Sequence, residues 1–166
     1  MISQKMQNSL NDQLTNELYS AYLYLSMAAY AFSIGLPGFA RWFRVQASEE
    51  EGHAMKFFDY INEQGGRVTL KAIKEPPKNF KSAVDLFEKT LEHEKKVTAT
   101  INKLVKQARS ENDYATETFL QWFVTEQIEE EANDTDILQK MNLAGKSGGA
   151  LLLLDIQLGK RAAEAE

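Results

Sequence analysis

Four long stretches of this 166-residue chain carry apolar residues at spacings of three and four, and a polar group breaks each stripe near its middle. Such spacing lines up one face of an α-helix. The first stripe runs Leu10, Leu14, Glu17, Ala21, Tyr24, Ala28; the second runs Phe39, Phe43, Gln46, Glu50, His53, Phe57, Ile61. The third gives Phe87, Leu91, Glu94, Thr98, Ile101, Val105, and the fourth gives Phe119, Phe123, Gln127, Glu130, Asp134, Ile137, Met141. Carboxylates among leucine and phenylalanine are costly to bury, and several together cannot all stay ionised without compensation. Bound cations are the simplest compensation. The sequence therefore predicts a helical bundle built around a metal site.

Turn-forming residues divide the chain at Gly35-Leu36-Pro37-Gly38, Gly65-Gly66, Pro76-Pro77, Ser110 to Asp113 and Gly145 to Gly149. Helices are expected at roughly 5–33, 38–64, 82–109, 113–141 and 150–159, with no period-two strand, in a single all-α domain spanning 1–166. Two short links make antiparallel hairpins. A helix of about 28 residues is about 42 Å long. The sixteen or so residues of the middle link can reach about 53 Å. That link can cross the whole bundle and leave the second and third helices parallel. The fifth segment, Ala150 to Leu158, is apolar on every side and reads as an oligomer contact, with packing back onto its own bundle as the alternative.

Composition removes several classes of function. The chain has no cysteine, which excludes disulfides, thiolate metal sites, iron–sulfur clusters and thiol nucleophiles. A net charge of −5 without a basic stripe makes nucleic acid and anionic membrane poor partners. Met1 to Leu10 lacks the form of a signal peptide, and the apolar stretch from Ala21 to Phe32 is too short to span a bilayer, so a cytoplasmic location is expected.

Glu50 and His53 lie three apart on one helical face and can reach one ion together. A carboxylate-rich shell with one imidazole favours iron or manganese over zinc. Glu50 could bridge two ions, with Glu17 and His53 completing one and Glu94 and Glu130 supporting the other. Two irons so placed can share the two electrons that reduce O₂ to peroxide.

With these residues in view, the chain resembles the non-haem bacterial and archaeal ferritins over nearly its whole length. The stretches that carry the resemblance are Asn11 to Tyr24, Ser48 to Met55 and Trp122 to Glu130. The pattern of bundle carboxylates with a Glu-x-x-His pair is a general property of ferritin-like di-iron proteins. The resemblance implies a four-helix bundle with a long crossover and a short fifth helix, assembled into a hollow shell of 24 subunits. It implies a ferroxidase centre at Glu17, Glu50, His53, Glu94, Gln127 and Glu130, and a third iron site using Glu49, Glu126, Glu129 and Glu130. Tyr24 would hydrogen-bond a ligand and supply an electron, with Trp122 similarly placed. The implied activity is oxidation of Fe²⁺ by O₂ or H₂O₂, followed by storage of hydrated ferric oxide.

Departures sort the branches of the family. Gln127-x-x-Glu130 replaces a second Glu-x-x-His, and Glu51 stands where bacterioferritins place their haem-ligating methionine, so no haem is expected. At the family's three-fold pore, Glu117 matches an acidic lining position but the second acid falls at Leu120. Glu51 and Glu131 are expected to face solvent, and His93, off its stripe, to be a surface residue. Two other readings stay open: a di-iron enzyme acting on an organic substrate, and a catalytically silent bundle whose carboxylates serve structure.

Overall fold

The computed structural model describes residues 1–162 of the chain. They form five helices and no strand: α1 (Gln4–Ser33), α2 (Pro37–Glu63), α3 (Ala83–Ser110), α4 (Tyr114–Ala144) and α5 (Gly148–Leu158). Side-chain oxygens of Ser3, Ser82, Asp113 and Ser147 accept the orphan amides that open α1, α3, α4 and α5. Pro37 starts α2, where its missing N–H costs nothing. Gly35, at φ 80°, turns the chain between α1 and α2, and Asn112, at φ 56°, does the same between α3 and α4.

Contacts between helices fix the directions. Ser9 meets Gln107, Ser20 meets His93, and Thr90 meets Met27, so α1 and α3 run antiparallel. Because α1 and α2 form a hairpin, α2 and α3 are parallel, as the length of the crossover implied. The crossover lies along α1. Asn11 donates to the Arg67 carbonyl at 3.0 Å and accepts from the Thr69 amide at 2.7 Å, and Ser26 donates to the Pro77 carbonyl at 2.6 Å.

Every residue of the first two stripes is buried; in the third and fourth, only Leu91, Thr98 and Phe119 are half-buried. The core has two apolar clusters. One is built around Tyr24, Phe39, Phe43, Phe87 and Met141, the other around Leu10, Phe57, Ile101 and Phe123. The polar layer lies between them.

The α5 segment packs back on the bundle. Leu154 and Leu158 join the first cluster, and buried Asp155 accepts a 2.9 Å hydrogen bond from the Phe39 amide in the first turn of α2. Leu152, Leu153 and Ile156 stay exposed on the opposite side, so the helix serves its own bundle and still presents an apolar face. Gly38 permits this docking, because a Cβ there would overlap the Asp155 carbonyl. Gly38→Ala should therefore destabilise the protein by about 1–3 kcal/mol through overpacking. The check is a lower thermal midpoint together with faster proteolysis of α5, while far-UV circular dichroism stays largely helical.

Candidate metal centre

The interrupting residues reach the middle layer from all four long helices. Glu17 comes from α1, Glu50 and His53 from α2, Glu94 from α3, and Gln127 and Glu130 from α4; all six are at most 6% exposed. One ligand atom from each of Glu17, Glu50 and His53 lies within 4.8 Å of the others, close enough to hold one ion. His53 faces two acids, with Nδ1 3.4 Å from Glu50 and Nε2 3.9 Å from Glu126. Glu94 and Glu130 lie outside that tight group.

Neutral donors hold most of these carboxyls. Gln13 donates to Glu17 at 2.7 Å, Gln46 to Glu130 at 2.7 Å, and Gln127 to Glu94 at 3.0 Å. The Tyr24 hydroxyl donates to the other oxygen of Glu94. These partners orient the acids without cancelling their charge. Burial therefore dominates the electrostatics. It raises Glu17, Glu50 and Glu94 above the ordinary carboxylate range, with Glu50 adding to the effect on Glu17 and Glu94 to that on Glu50. Burial and then Glu94 push Glu130 up to about 8. Tyr24 is raised as well, by burial and then by Glu94.

Glu49, Glu126, Glu129 and Glu130 do line one cavity, of about 170 Å³. Arg161 lines it too. Its guanidinium donates to Glu49 at 2.5 Å and to the Gln46 side-chain oxygen at 2.7 Å, and it lies 4.6 Å from the centre of the Trp42 ring. Gln46 thus passes a hydrogen bond from the C-terminal segment to Glu130. Sequence alone placed Gln46 on the stripe but gave it no role, and Arg161 is too distant along the chain to be tied to either residue.

Two expectations change. His93 is half-buried; it sits 2.7 Å from the Ser20 hydroxyl with its ring 5.9 Å from those of Tyr19 and Tyr24. Burial and nearby Lys96 lower its pKa to about 4, so it is a neutral packing residue between α1 and α3 rather than a surface one. Glu131 is half-buried and accepts from Thr98 at 2.6 Å, whereas Glu51 is exposed as expected. Leu120 is fully buried, while Glu117 accepts from Arg109 at 2.6 Å. Trp122 is 41% exposed and flanks His53 with ring centres 5.3 Å apart, under the Lys56 ammonium.

Asp134 is the residue that the sequence reading passed over. It follows Glu130 by one helical turn, is wholly buried, and burial followed by Glu94 and Glu130 pushes it up to about 9. Its place on the fourth stripe was the available signal.

Residues 7–144 match the ferritin-like domain of the ferritin family. The chain belongs to the ferritin family. It is 44% identical over 155 residues to a bacterial non-heme ferritin of Campylobacter jejuni, covering 93% of each chain. A bacterial non-heme ferritin of Staphylococcus aureus is 37% identical over 166 residues, covering all of both. Among solved structures, an engineered closed form of Archaeoglobus fulgidus ferritin superposes with a TM-score of 0.98 at 52% identity, covering 99% of this chain and 100% of that one. The open-pore ferritin of that organism gives 0.97 at 53% identity, covering 98% of this chain and 100% of that one. Iron storage by a metal-binding helical bundle is the family's business.

The raised carboxyls give stability a pH dependence of definite sign. Folded Glu130 and Asp134 keep protons up to about 8 and 9, whereas unfolded carboxyls release theirs near about 4. Between these limits the native state binds more protons, so the contribution of these two carboxyls to stability is fully present below the ordinary carboxylate range and is lost as pH rises through 8 and 9. Metal-free protein should melt at a lower temperature at pH 9 than at pH 6. Saturating Mn²⁺, which binds the ionised carboxylates, should shrink that difference and release protons at pH 7; calorimetric melts and a pH-stat titration measure both.

Proposed function

We propose that the protein is a cytoplasmic ferroxidase and iron store, binding Fe²⁺ as substrate in its buried carboxylate layer and oxidising it with O₂ or H₂O₂. The observation that carries this reading is the buried convergence of Glu17, Glu50 and His53 within 4.8 Å. Glu17, Glu50 and His53 hold one Fe²⁺, Glu50 bridges to a second, and Glu94, Gln127 and Glu130 complete the second position. Oxygen donors with one imidazole suit iron in both oxidation states. Each Fe²⁺ gives up one electron; O₂ takes two electrons and two protons and leaves as hydrogen peroxide.

Tyr24, fully buried and hydrogen-bonded to Glu94, steadies that ligand and is placed to supply a further electron. Glu49, Glu126 and Glu129, with Glu130, form a third iron position in the cavity that Arg161 also lines. Binding there requires the iron to compete with the guanidinium for Glu49. Ferric ion then leaves for the interior of a 24-subunit homo-oligomeric shell, where its low solubility drives mineral growth. The structural likeness to archaeal ferritins supports this assembly, and the exposed residues Leu152, Leu153 and Ile156 of α5 offer it an apolar contact.

Stopped-flow oxidation provides the test. Glu50→Ala should slow the fast phase by more than about 100-fold, beyond the usual cost of losing an outer partner of a metal ligand. Unchanged fast oxidation in that variant would remove the basis for the paired site. Light scattering after iron loading reports, separately, whether a mineral-filled shell forms.

A further inference from the structure

Asp134 is unused by the ferroxidase reading, and its surroundings are unlike those of an ordinary structural aspartate. It has no exposed surface, and neither carboxyl oxygen has a hydrogen-bond partner among the described residues. Asp155, the other buried aspartate, shows the contrast, since one of its oxygens takes up the Phe39 amide. Protonation alone does not cure the situation of Asp134, because a neutral carboxyl carries a donor that itself requires an acceptor.

Successive turns of α4 place Glu126, Glu130 and Asp134 along one side of the helix. His53 faces the first of these, so Asp134 lies on the far side of Glu130 from the imidazole. From α3, the carboxyl of Glu94 acts on Asp134 most strongly; Glu130 and Glu131 act in the same sense, and Arg161 opposes them. From α1, the Tyr24 phenol feels the charge of Asp134. With Glu17, Glu50, Glu94 and Glu130, Asp134 makes a fifth buried carboxyl of the middle layer.

We infer that Asp134, together with Glu130 and Glu94, holds a further divalent cation beside the paired site. The donors are all oxygen, so the position suits a hard ion such as Fe²⁺, Mn²⁺ or Mg²⁺ rather than Zn²⁺. It shares Glu130 with the Glu49, Glu126 and Glu129 cavity, but Asp134 does not line that cavity, where Arg161 already supplies positive charge. The inference rests on the reading above to the extent that Glu94 and Glu130 are shared with the paired ions.

The test uses Mn²⁺, a redox-quiet stand-in for Fe²⁺, with the intact assembled protein. Equilibrium dialysis should find one fewer Mn²⁺ per subunit in Asp134→Asn, which keeps the shape and removes the charge. Anomalous diffraction from Mn²⁺-soaked crystals should show a peak at coordinating distance from Asp134 in the unaltered protein. That peak should vanish in the variant while density near Glu17, Glu50 and His53 remains. A buried acid that is merely structural would leave the count unchanged, and that result overturns the inference. Glu50→Ala separates the two readings. Loss of Mn²⁺ there but not in Asp134→Asn leaves the paired site standing alone; loss in neither removes both. Should Asp134→Asn fail to assemble, the unaltered crystals decide, because an Mn²⁺ map with no peak at Asp134 is equally fatal.

Discussion

Repulsion among dry carboxyl groups is the interaction on which the rest of this molecule turns. A bundle of this size could fill its middle layer with leucine and be more stable for it. Instead α1, α2, α3 and α4 each send acids there, and burial is the first cause of the raised pKa in every one of them. The choice of partners matters as much as the acids. Gln13, Gln46, Gln127 and Tyr24 orient the carboxyls with neutral N–H and O–H groups. A lysine or arginine in any of those places would offset one of these charges and weaken the pull on a metal ion. The guanidinium of Arg161 stays at the edge and reaches Glu130 through Gln46.

The apolar clusters on either side make this arrangement tolerable. Trp42, Phe43 and Phe87 pack with ring centres 4.9–5.1 Å apart on one side, and Phe57 and Phe123 stack at 4.2 Å on the other. Well-packed aromatic layers of this kind resist the splaying that repulsion would otherwise cause. Crosswise ties, such as the crossover bonded to Asn11 and the Asp155 contact to α2, fix the ends of the helices. The charged layer is consequently held at a geometry that it would not adopt unaided. This frame is shared closely with the archaeal ferritins, as a TM-score of 0.98 records.

Much of this was legible from spacing alone. Periods of three and four turned Glu17, Glu50, Glu94 and Glu130 towards a common axis, and the length of the link after Gly66 gave the parallel relation of α2 and α3. What spacing could not supply is the environment on either flank of a stripe. His93 sits one residue from Glu94 and looked exposed, but α1 and α3 approach closely enough to enclose it against Ser20 and Tyr24. Glu131 is similarly caught by Thr98 across the α3–α4 contact. Asp134 shows the opposite difficulty. Its position on the stripe was visible, yet only the fold reveals that both of its oxygens lack a hydrogen-bond partner among the described residues. Arg161 needed the docking of α5 before its distance from Glu49 meant anything.

The division of the layer between the two halves of the chain has a kinetic consequence. Glu17, Glu50 and His53 belong to the α1–α2 hairpin; Glu94, Gln127, Glu130 and Asp134 belong to the α3–α4 hairpin. Each hairpin closes a short loop and can form early, whereas joining them must close the longer crossover. Most of the like charge is confronted only at that later encounter. Docking of the halves is then the stage of folding most sensitive to protons and dissolved cations, and iron available during synthesis would act as a fastener between them.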